Sequence, residues 1–405
     1  MNQGPSHACP WRAWRDENAF DTAPGNCAGK CTFGCMDKAL KVRDIAGWLE
    51  TWAPRQFAES YDNVGLLVGH AEAEVTQVLV SLDCTEEVVN EAERTGCQMI
   101  VSHHPVIFGG LKRLNGSNDV ERTVMRAVRS GIALYAIHTN LDNVLTGVNR
   151  KLAESLGCLS DSLRILRPKG EGLEKWSVFV PEAQADAVRR AMAEAGAGHL
   201  GNYDECSFSA SGVGTFRALE GANPHVGELG KLHREPEVKL EMVVPSALAR
   251  AVEAAMTAAH PYEEVAFDRV SLVQTRTDVG SGMVGELAEA MPWEAFADHV
   301  KAVLGCGAVK HTAPVHKEVK RIAVCGGSGA FLISDAKRVK ADVYVTSDVK
   351  YHEYFQAEGQ VQILDVGHFE SEWQTSALIA NKINEKFPNF AVRLSEIQTN
   401  PVAFR

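Results

Sequence analysis

Two adjacent histidines at the end of an apolar stretch are the first residues in this chain that suggest chemistry. The run Met99–Ser102 leads directly into His103 and His104, and Pro105 stops any continuation. This pattern predicts a buried strand ending at the carboxyl edge of an α/β sheet, where such sheets bind ligands. Because consecutive side chains on extended backbone point in different directions, the two imidazoles suit two neighbouring metal ions better than one. Loop histidines hydrogen-bonded to nearby carboxylates are the alternative.

A second apolar stretch, Val361–Val366, also leads into polar residues, and a helical pattern then continues to about Phe387. His368 and Glu372 are four residues apart, so they lie on one face of the first turn of the predicted helix. An imidazole and a carboxylate at this spacing can bind one ion. A capping glutamate beside a solvated histidine is the alternative.

A third stretch, Leu134–Ile137, ends in a group of polar residues that includes His138, Asn140 and Asp142. Three strand ends rich in His and Asp or Glu predict a metal site more strongly than any one of them does. Imidazole and carboxylate ligands suit Zn, Fe, Mn or Co, and these stretches carry no thiolate.

Six segments of the chain resemble the Nif-three-like family, whose members are often called GTP cyclohydrolase I type 2 homologues. The segments are Asp62–Gly69, Ser102–Phe108, His138–Asn143, Ala323–Gly329, Thr346–Glu353 and Gly367–Glu372. The similarity runs in order from Asp37 to about Ile397. The resemblance implies a homohexamer that binds two divalent metal ions per chain.

The resemblance also assigns roles to individual residues. It implies that one carboxylate, Glu372, bridges the two ions, and that the full set of metal ligands is His103, His104, Asp142, His368 and Glu372. His352 matches a family position near the metals, where it would act as a proton donor, hold a substrate oxygen or support a ligand.

Two ions that share a carboxylate typically lie ~3.5–4 Å apart and lower the pKa of the water between them toward ~7. The resulting hydroxide is a nucleophile, which indicates hydrolysis. The family name implies that this hydroxide attacks the guanine ring of the small-molecule substrate GTP, with release of formate. A non-catalytic metal-binding or regulatory hexamer and a two-metal phosphoesterase are the alternatives, because a family name is a weak guide to a substrate.

The elements that position these residues follow an α/β pattern. Strands alternate with helices in residues 37–168 and again in 278–397, which predicts a core with a mostly parallel sheet built from two sequence halves. Residues 174–273 between them follow a β-α-β-β-α-β order, which predicts a ferredoxin-like α+β domain. This domain resembles the PII-like insert of some family members and supplies no metal ligand. The motif His260–Glu264 within it is expected to be a structural loop.

Two segments of the chain are rich in glycine. Gly280–Gly285 matches G-x-G-x-x-G, but no apolar strand precedes it, so a dinucleotide site is not expected. It also contains Met283, where the family usually has Arg, which leaves the role of that Arg open in this chain. Gly326–Gly329 leads from a strand into a helix and could hold a phosphate or simply form a tight turn.

Bulk composition excludes several classes of protein. The formal charge of −11 gives no reason to expect nucleic-acid binding, which needs concentrated Lys and Arg. No stretch reaches the ~20 apolar residues of a membrane span, and no secretory signal is evident. Residues 1–36 are expected to form a disordered leader, whose Cys9, Cys27, Cys31 and Cys35 lack the usual zinc spacing. Cys84, Cys97 and Cys325 are expected to be reduced core residues, so a cytoplasmic protein fits best.

Overall fold

The computed structural model describes residues 39–169, 172–201, 203–273 and 277–403. These residues divide into two compact units. The larger unit consists of the described residues up to Arg167 together with those from Asp278 onward, and the smaller one runs from Pro168 to Thr277. Within the described ranges, no helix is both long and apolar enough to cross a membrane. The leader predicted for residues 1–36, with its four cysteines, lies outside the described residues.

The secondary-structure elements are numbered here in chain order. Before the smaller unit they are α1 (Val42–Trp52), β1 (Gly65–Val68), β2 (Gln77–Ser81), α2 (Glu86–Thr95), β3 (Met99–Ser102), α3 (Asp119–Ser130), β4 (Ala133–Ala136), α4 (Thr139–Asp142), α5 (Val148–Ser155) and β5 (Arg164–Pro168). Those of the smaller unit are β6 (Leu173–Pro181), α6 (Ala185–Glu194), β7 (Ser207–Arg217), β8 (Leu232–Pro245), α7 (Ala249–Ala259) and β9 (Phe267–Ser271). After it come β10 (Gly280–Pro292), α8 (Trp293–Leu304), β11 (Lys310–His311), β12 (Glu318–Ser328), α9 (Ile333–Arg338), β13 (Val343–Ser347), β14 (Gln362–Asp365), α10 (His368–Glu372), α11 (Thr375–Lys386) and β15 (Ala391–Leu394).

Local capping explains where helices α2 and α3 begin and end. Thr85 accepts a hydrogen bond from the backbone N–H of Val88, and Asn118 does the same for the N–H of Glu121 at 2.9 Å. At the other ends, Gly96 and Gly131 take the left-handed conformation with φ of 75° and 64°. Both helices therefore begin and end at residues that cap them locally.

The first sheet of the larger unit positions one half of the site. Among the described residues it has five strands in the order β1-β4-β3-β2-β15. Strands β4, β3, β2 and β15 run parallel, and β1 pairs antiparallel with β4. In register, Ser81 lies beside Ser102, and Ser102 lies beside Ala136. The carboxyl ends of β2, β3 and β4 therefore meet at one edge.

The second sheet of the larger unit positions the other half. Its described strands number six, in the order β11-β14-β13-β12-β10-β5. Strands β12, β13 and β14 run parallel, whereas β10 and β11 are antiparallel to their neighbours β12 and β14. Ser328 pairs with Ser347, and Thr346 pairs with Asp365, so the carboxyl ends of these strands also share an edge. The chain is thus a mixed α/β protein with several sheets.

The smaller unit has a different, fully antiparallel sheet. Its described strands number four, in the order β7-β8-β6-β9, and each neighbouring pair is antiparallel. Helices α6 and α7 pack on it over a core that includes Trp176, Val188 and Val252, all fully buried. The chain order within this unit is β-α-β-β-α-β.

Three sequence predictions are refined by this fold. The helix expected to run from His368 to about Phe387 is interrupted, because α10 ends at Glu372 and α11 begins at Thr375; between them the indole N–H of Trp373 donates to the Leu304 carbonyl at 3.2 Å. The segment Gly280–Gly285 lies inside strand β10 and forms no strand-to-helix turn. Met283, also in β10, is fully buried in the hydrophobic core, so its side chain does not face a substrate.

The cysteines predicted to be reduced core residues are free and buried. Cys84, Cys97 and Cys325 all lie below the surface and form no disulfide within the described part of the chain. Burial raises the pKa of the Cys84 thiol to about 12, which keeps it protonated at neutral pH.

Candidate metal centre

The predicted ligand side chains come together at the edges of the two sheets of the larger unit. His103 and His104 follow β3, and Asp142 ends the short helix α4 after β4. His368 and Glu372 are the first and last residues of α10, which follows β14. Four of the five line a cavity of about 790 Å³, and His103 lies fully buried against them.

Three of these side chains form a first group. The Nε2 atoms of His104 and His368 lie 3.0 and 3.1 Å from Oε2 of Glu372. The two Nε2 atoms are 3.3 Å apart. Three nitrogen and oxygen ligands at these separations could hold one metal ion.

A second group uses the other oxygen of Glu372. Nε2 of His103 is 3.6 Å from Oδ1 of Asp142 and 3.9 Å from Oε1 of Glu372. These separations exceed hydrogen-bond length, and within the described residues both His103 Nε2 and Asp142 Oδ1 are buried without a hydrogen-bond partner. Unpaired polar atoms this deep are costly, and a metal ion among them would satisfy both. The residues therefore fit the metal that the donor set implies, and Glu372 belongs to both groups.

Each imidazole is oriented by an oxygen atom at its Nδ1. Nδ1 of His103 lies 2.9 Å from the Ile137 carbonyl. For His104 and His368 the partners are carboxylates, Asp83 at 2.7 Å and Asp348 at 2.6 Å. An Nδ1–H that donates to oxygen leaves the lone pair of Nε2 directed into the site, which is the arrangement that supports metal-bound histidines.

The protonation of the metal-free group follows from burial and from the carboxylates. Burial lowers the pKa of His103 to about 4, against the attraction of Glu372. Burial also acts to lower the pKa of His104. The hydrogen bonds with Asp83 and Glu372 outweigh burial and raise the pKa of His104 to about 10. At His368, Glu372 and Asp348 likewise outweigh burial and raise the pKa to about 9. Burial and the charge of Glu372 raise the pKa of Asp142.

Two glycines make room for the shared carboxylate. A Cβ added to Gly327 would lie 2.4 Å from Oε1 of Glu372, and one added to Gly326 would lie 3.2 Å from its Cγ. The N–H of Gly326 donates to Asn149 and that of Gly327 to Ser371, both at 2.9 Å. Of the two readings of Gly326–Gly329, these bonds favour the tight turn, because two of its N–H groups already have protein partners.

The sequence predictions did not include Asp83, Asp348 and Asp62, which orient imidazoles at the site. Asp348 directly follows the end of β13, and Asp83 follows Leu82 just beyond the end of β2, which is the same signal that identified His103. His138 lines the cavity and lies within metal-binding distance of His103 and His104, although the implied ligand set omits it. Its partner Asp62 lies before a strand, and no local pattern marks it.

Two residues from the predicted stretches lie away from the centre. The side-chain amide of Asn140 is buried and donates to the Ala53 carbonyl at 2.7 Å, which is a structural role. His352 is exposed, contacts the rings of Tyr351 and Phe355, and does not line the cavity formed by this chain. Its catalytic role stays a prediction.

The cavity wall combines carboxylates with aromatic rings. Tyr61, Phe108 and Phe331 line it and are each more than half exposed. Of its described lining residues, Lys310 alone is a Lys or Arg, and its ammonium pairs with Asp365 at 2.7 Å. The acidic lining residues are Glu59, Asp83, Asp142, Asp348, Asp365, Glu370 and Glu372.

The model of the Duf34/NIF3 (NGG1p interacting factor 3) family matches residues 40–401, nearly the whole described chain. The chain belongs to the DUF34/NIF3 family. A Bacillus subtilis relative named GTP cyclohydrolase 1 type 2 homolog is 37% identical over 373 residues, which cover 91% of this chain and 100% of that protein. A Mycobacterium tuberculosis relative of the same name is 35% identical over 90% of this chain and 97% of its own length.

Two solved structures agree with this fold. The crystal structure of a Bacillus cereus protein related to NIF3 superposes with a TM-score of 0.76 at 37% identity, covering 91% of this chain and 100% of that one. The Staphylococcus aureus protein SA1388 superposes with a TM-score of 0.73 at 32% identity, covering 92% of this chain and 100% of that one. The match extends over both the larger and the smaller unit.

Proposed function

We propose that this DUF34/NIF3 protein binds two divalent transition-metal ions and hydrolyses a small-molecule substrate in the cavity beside them. The proposed ligands are His103, His104, Asp142, His368 and Glu372, with Glu372 shared. The observation that carries the proposal is the pair of buried, unpartnered atoms, Nε2 of His103 and Oδ1 of Asp142, next to a carboxylate that also reaches two other imidazoles.

Divalent ions at such a site supply Lewis acidity and make water a stronger acid. The protonation states of the ligand side chains affect metal binding in two ways. His103 has a pKa of about 4, so its Nε2 is unprotonated and able to bind at neutral pH. His104 and His368 hold protons in the metal-free chain, and these protons must leave when metal binds. The exposed cavity wall then admits a substrate next to the ligands.

The proposed substrate class is a planar heterocycle such as the guanine base of GTP. The names of the relatives support this class. The rings of Tyr61 and Phe108 lie 6.2 Å apart on the cavity wall, and a flat base can stack on such rings. The acidic lining suits the N–H donors of guanine. Lys310 is the one Lys or Arg among the described residues that line the cavity. Binding of a triphosphate would therefore depend on the metal ions.

Release of formate from GTP is the measurement that tests the proposed reaction. Protein freed of metal and reloaded with Zn, Mn, Fe or Co is expected to release formate from GTP, and Glu372→Ala is expected to abolish this release. Glu385→Ala, on the exposed side of α11, is the matched control and should keep wild-type activity. Wild-type protein that carries two ions per chain and releases no formate from GTP or guanosine would refute the cyclohydrolase proposal.

The proposed ligand set is tested by the metal content of the protein, separately from the reaction. Elemental analysis should give up to two ions per chain for the wild type, and Glu372→Ala should lose most of the metal because a shared ligand serves both ions. Full metal retention in a variant with all five ligands replaced by alanine would show that the ligand set is wrong.

A non-catalytic metal-binding protein is the second candidate. A two-metal phosphoesterase is the third, and the lining of seven acidic residues and one paired lysine means that either GTP or a phosphate ester would depend on the metal ions to hold its phosphate groups. Metal loading without turnover of GTP, guanosine or p-nitrophenyl phosphate would support the non-catalytic candidate. Turnover of p-nitrophenyl phosphate alone would support the phosphoesterase.

A further inference from the structure

We propose that His138 is a further ligand of the metal centre, oriented by the buried carboxylate of Asp62. The proposal rests on the metal-binding part of the proposed function and does not require hydrolysis. It adds a fourth imidazole to a centre for which the family resemblance implies three.

The His138 ring lies beside the rings of His103 and His104. Its centroid lies 5.3 Å from that of His103 and 5.2 Å from that of His104, and it stands nearly edge-on to both rings. One ligand atom from each of the three imidazoles falls within 4.8 Å of the others. His138 also lines the cavity, so an ion held there remains accessible from solvent.

The two ring nitrogens of His138 differ in their contacts. Nδ1 of His138 lies 2.9 Å from Oδ1 of Asp62. Nε2 makes no hydrogen bond to any of the described residues, and it is not one of the buried unpartnered atoms, because His138 lines the open cavity. The free Nε2 is therefore the atom available to a metal.

The surroundings of Asp62 explain why this arrangement is rigid. Its side chain is fully buried, and its Oδ2 accepts hydrogen bonds from the backbone N–H of Thr139 at 3.1 Å and from the Thr139 hydroxyl. Burial opposes the charge, but the hydrogen bonds from His138 and Thr139 outweigh it and lower the pKa of Asp62 to about 2. A fixed carboxylate accepts from Nδ1–H and so holds His138 in the tautomer whose Nε2 has a lone pair.

The same pattern occurs at two ligands of the proposed set. Asp83 holds Nδ1 of His104 and Asp348 holds Nδ1 of His368, and in both cases Nε2 turns to the shared carboxylate. His138 with Asp62 repeats this carboxylate–histidine unit on the same cavity wall. In each of the three units the carboxylate holds Nδ1, which leaves Nε2 as the atom available to an ion.

Metal titration of purified, metal-free protein tests the proposal without any substrate. Zn²⁺ is titrated against a chromophoric chelator, and Co²⁺ is followed by its visible absorption bands. His138→Ala is expected to weaken binding of at least one ion about 10- to 100-fold and to change the Co²⁺ spectrum, and Asp62→Asn to weaken it about 10-fold, as is typical when support of a ligand is lost. Added imidazole should partly restore the Co²⁺ spectrum of His138→Ala, because the cavity has room for it.

A control variant and a second substitution of His138 complete the test. His70→Ala removes an exposed histidine remote from the cavity and should bind metal like the wild type. His138→Gln keeps a polar side chain of similar size and serves if the alanine variant does not fold. Wild-type affinity and spectrum in His138→Gln and Asp62→Asn would overturn the proposal while leaving the five-ligand centre intact. Absence of metal binding in the wild type would overturn both.

Discussion

At the scale of single residues, the site depends on one carboxylate and on the space left for it. Glu372 is buried, but its contacts with His104 and His368 and the nearby His103 outweigh the cost of burial and lower its pKa. Gly327 lies against its Oε1 with φ of 61°, a conformation that favours glycine. The glycine is therefore needed both for the backbone turn and for the position of Glu372.

Substitution of Gly327 by alanine is expected to weaken metal binding without abolishing the fold. The left-handed conformation costs a non-glycine residue ~1–2 kcal/mol, and the new Cβ would have to displace Oε1 of Glu372, which it would approach to 2.4 Å. Metal affinity should fall about tenfold or more, by analogy with other losses of ligand support. Gly47→Ala is the control, since no atom outside the adjacent residues and backbone of its own helix lies within 4 Å of its Cβ position. Equal metal affinity in the two variants would contradict this account of Gly327.

At the scale of elements, the motif His260–Glu264 acts as a structural loop of the smaller unit. Nε2 of His260 lies 3.1 Å from the Phe179 carbonyl, and its Nδ1 accepts from the backbone N–H of Tyr262 at 3.1 Å. The hydroxyl of Tyr262 donates to Glu237 at 2.9 Å. These bonds tie the end of α7 to strands β6 and β8.

The stability of the smaller unit is expected to fall in mild acid because of His260. Burial lowers the pKa of this imidazole below 6.5, although the Phe179 carbonyl and the charge of Glu237 oppose the shift and the nearby His225 adds to it. The unfolded chain therefore takes up a proton first, and stability is lost as the pH falls from 6.5 through the lowered pKa. Protonation would also remove the acceptor for the Tyr262 N–H.

Thermal unfolding between pH 7.5 and 5 measures this effect. His260→Asn should lower the Tm at pH 7.5 and flatten the decline toward pH 5, whereas the exposed-surface variant His70→Ala should follow the wild type. An identical pH profile in His260→Asn and the wild type would rule out His260 as the source.

Removal of the smaller unit is expected to leave the metal centre intact. All proposed ligands belong to the larger unit, and β5 and β10, which flank the removed segment, are neighbours in one sheet. Replacing residues 174–273 by a short Gly/Ser bridge should give a folded chain with wild-type metal content, measured by elemental analysis and circular dichroism. An aggregated product without metal would contradict the division of the chain into a core and a separable insert.

At the scale of the whole molecule, we propose that the protein assembles as a homohexamer, as the family resemblance implies. The larger unit exposes an aromatic patch around His352, in which Tyr351 is 74% and Phe355 is 66% exposed, and their rings are 5.6 Å apart. Exposed aromatic patches of this kind mark protein interfaces. His352 does not line the cavity of its own chain. In such an interface it could approach the cavity of a neighbouring subunit.

Light scattering is expected to give a mass near six times 44.0 kDa, independent of metal loading. Tyr351→Ala combined with Phe355→Ala should lower this mass, while Tyr203→Ala, which removes an equally exposed ring from the smaller unit, should leave it unchanged. A monomeric wild type at micromolar concentration would refute the assembly.

Local patterns in the sequence identified the stretches that carry the proposed ligands, and the family resemblance selected the five residues within them. An apolar strand that stops at His103 and His104, and the four-residue spacing of His368 and Glu372, are signals carried within about ten residues, because strand ends and helix faces are set by short-range geometry. The helices around Glu86–Thr95 and Asp119–Ser130 could be predicted for the same reason, since their caps lie next to them.

The tertiary structure decided the features that depend on contacts between distant segments. Strand β15 joins the first sheet and β5 joins the second, so each sequence half completes the sheet of the other. Asp62 meets His138 across 76 residues, and Glu372 meets His104 across 268. No periodicity or spacing records such pairs, because they form only when burial of the two sheets brings their carboxyl edges together. The pairing of His138 with Asp62 and the contact of His104 with Glu372 could therefore be recognised only in the folded chain.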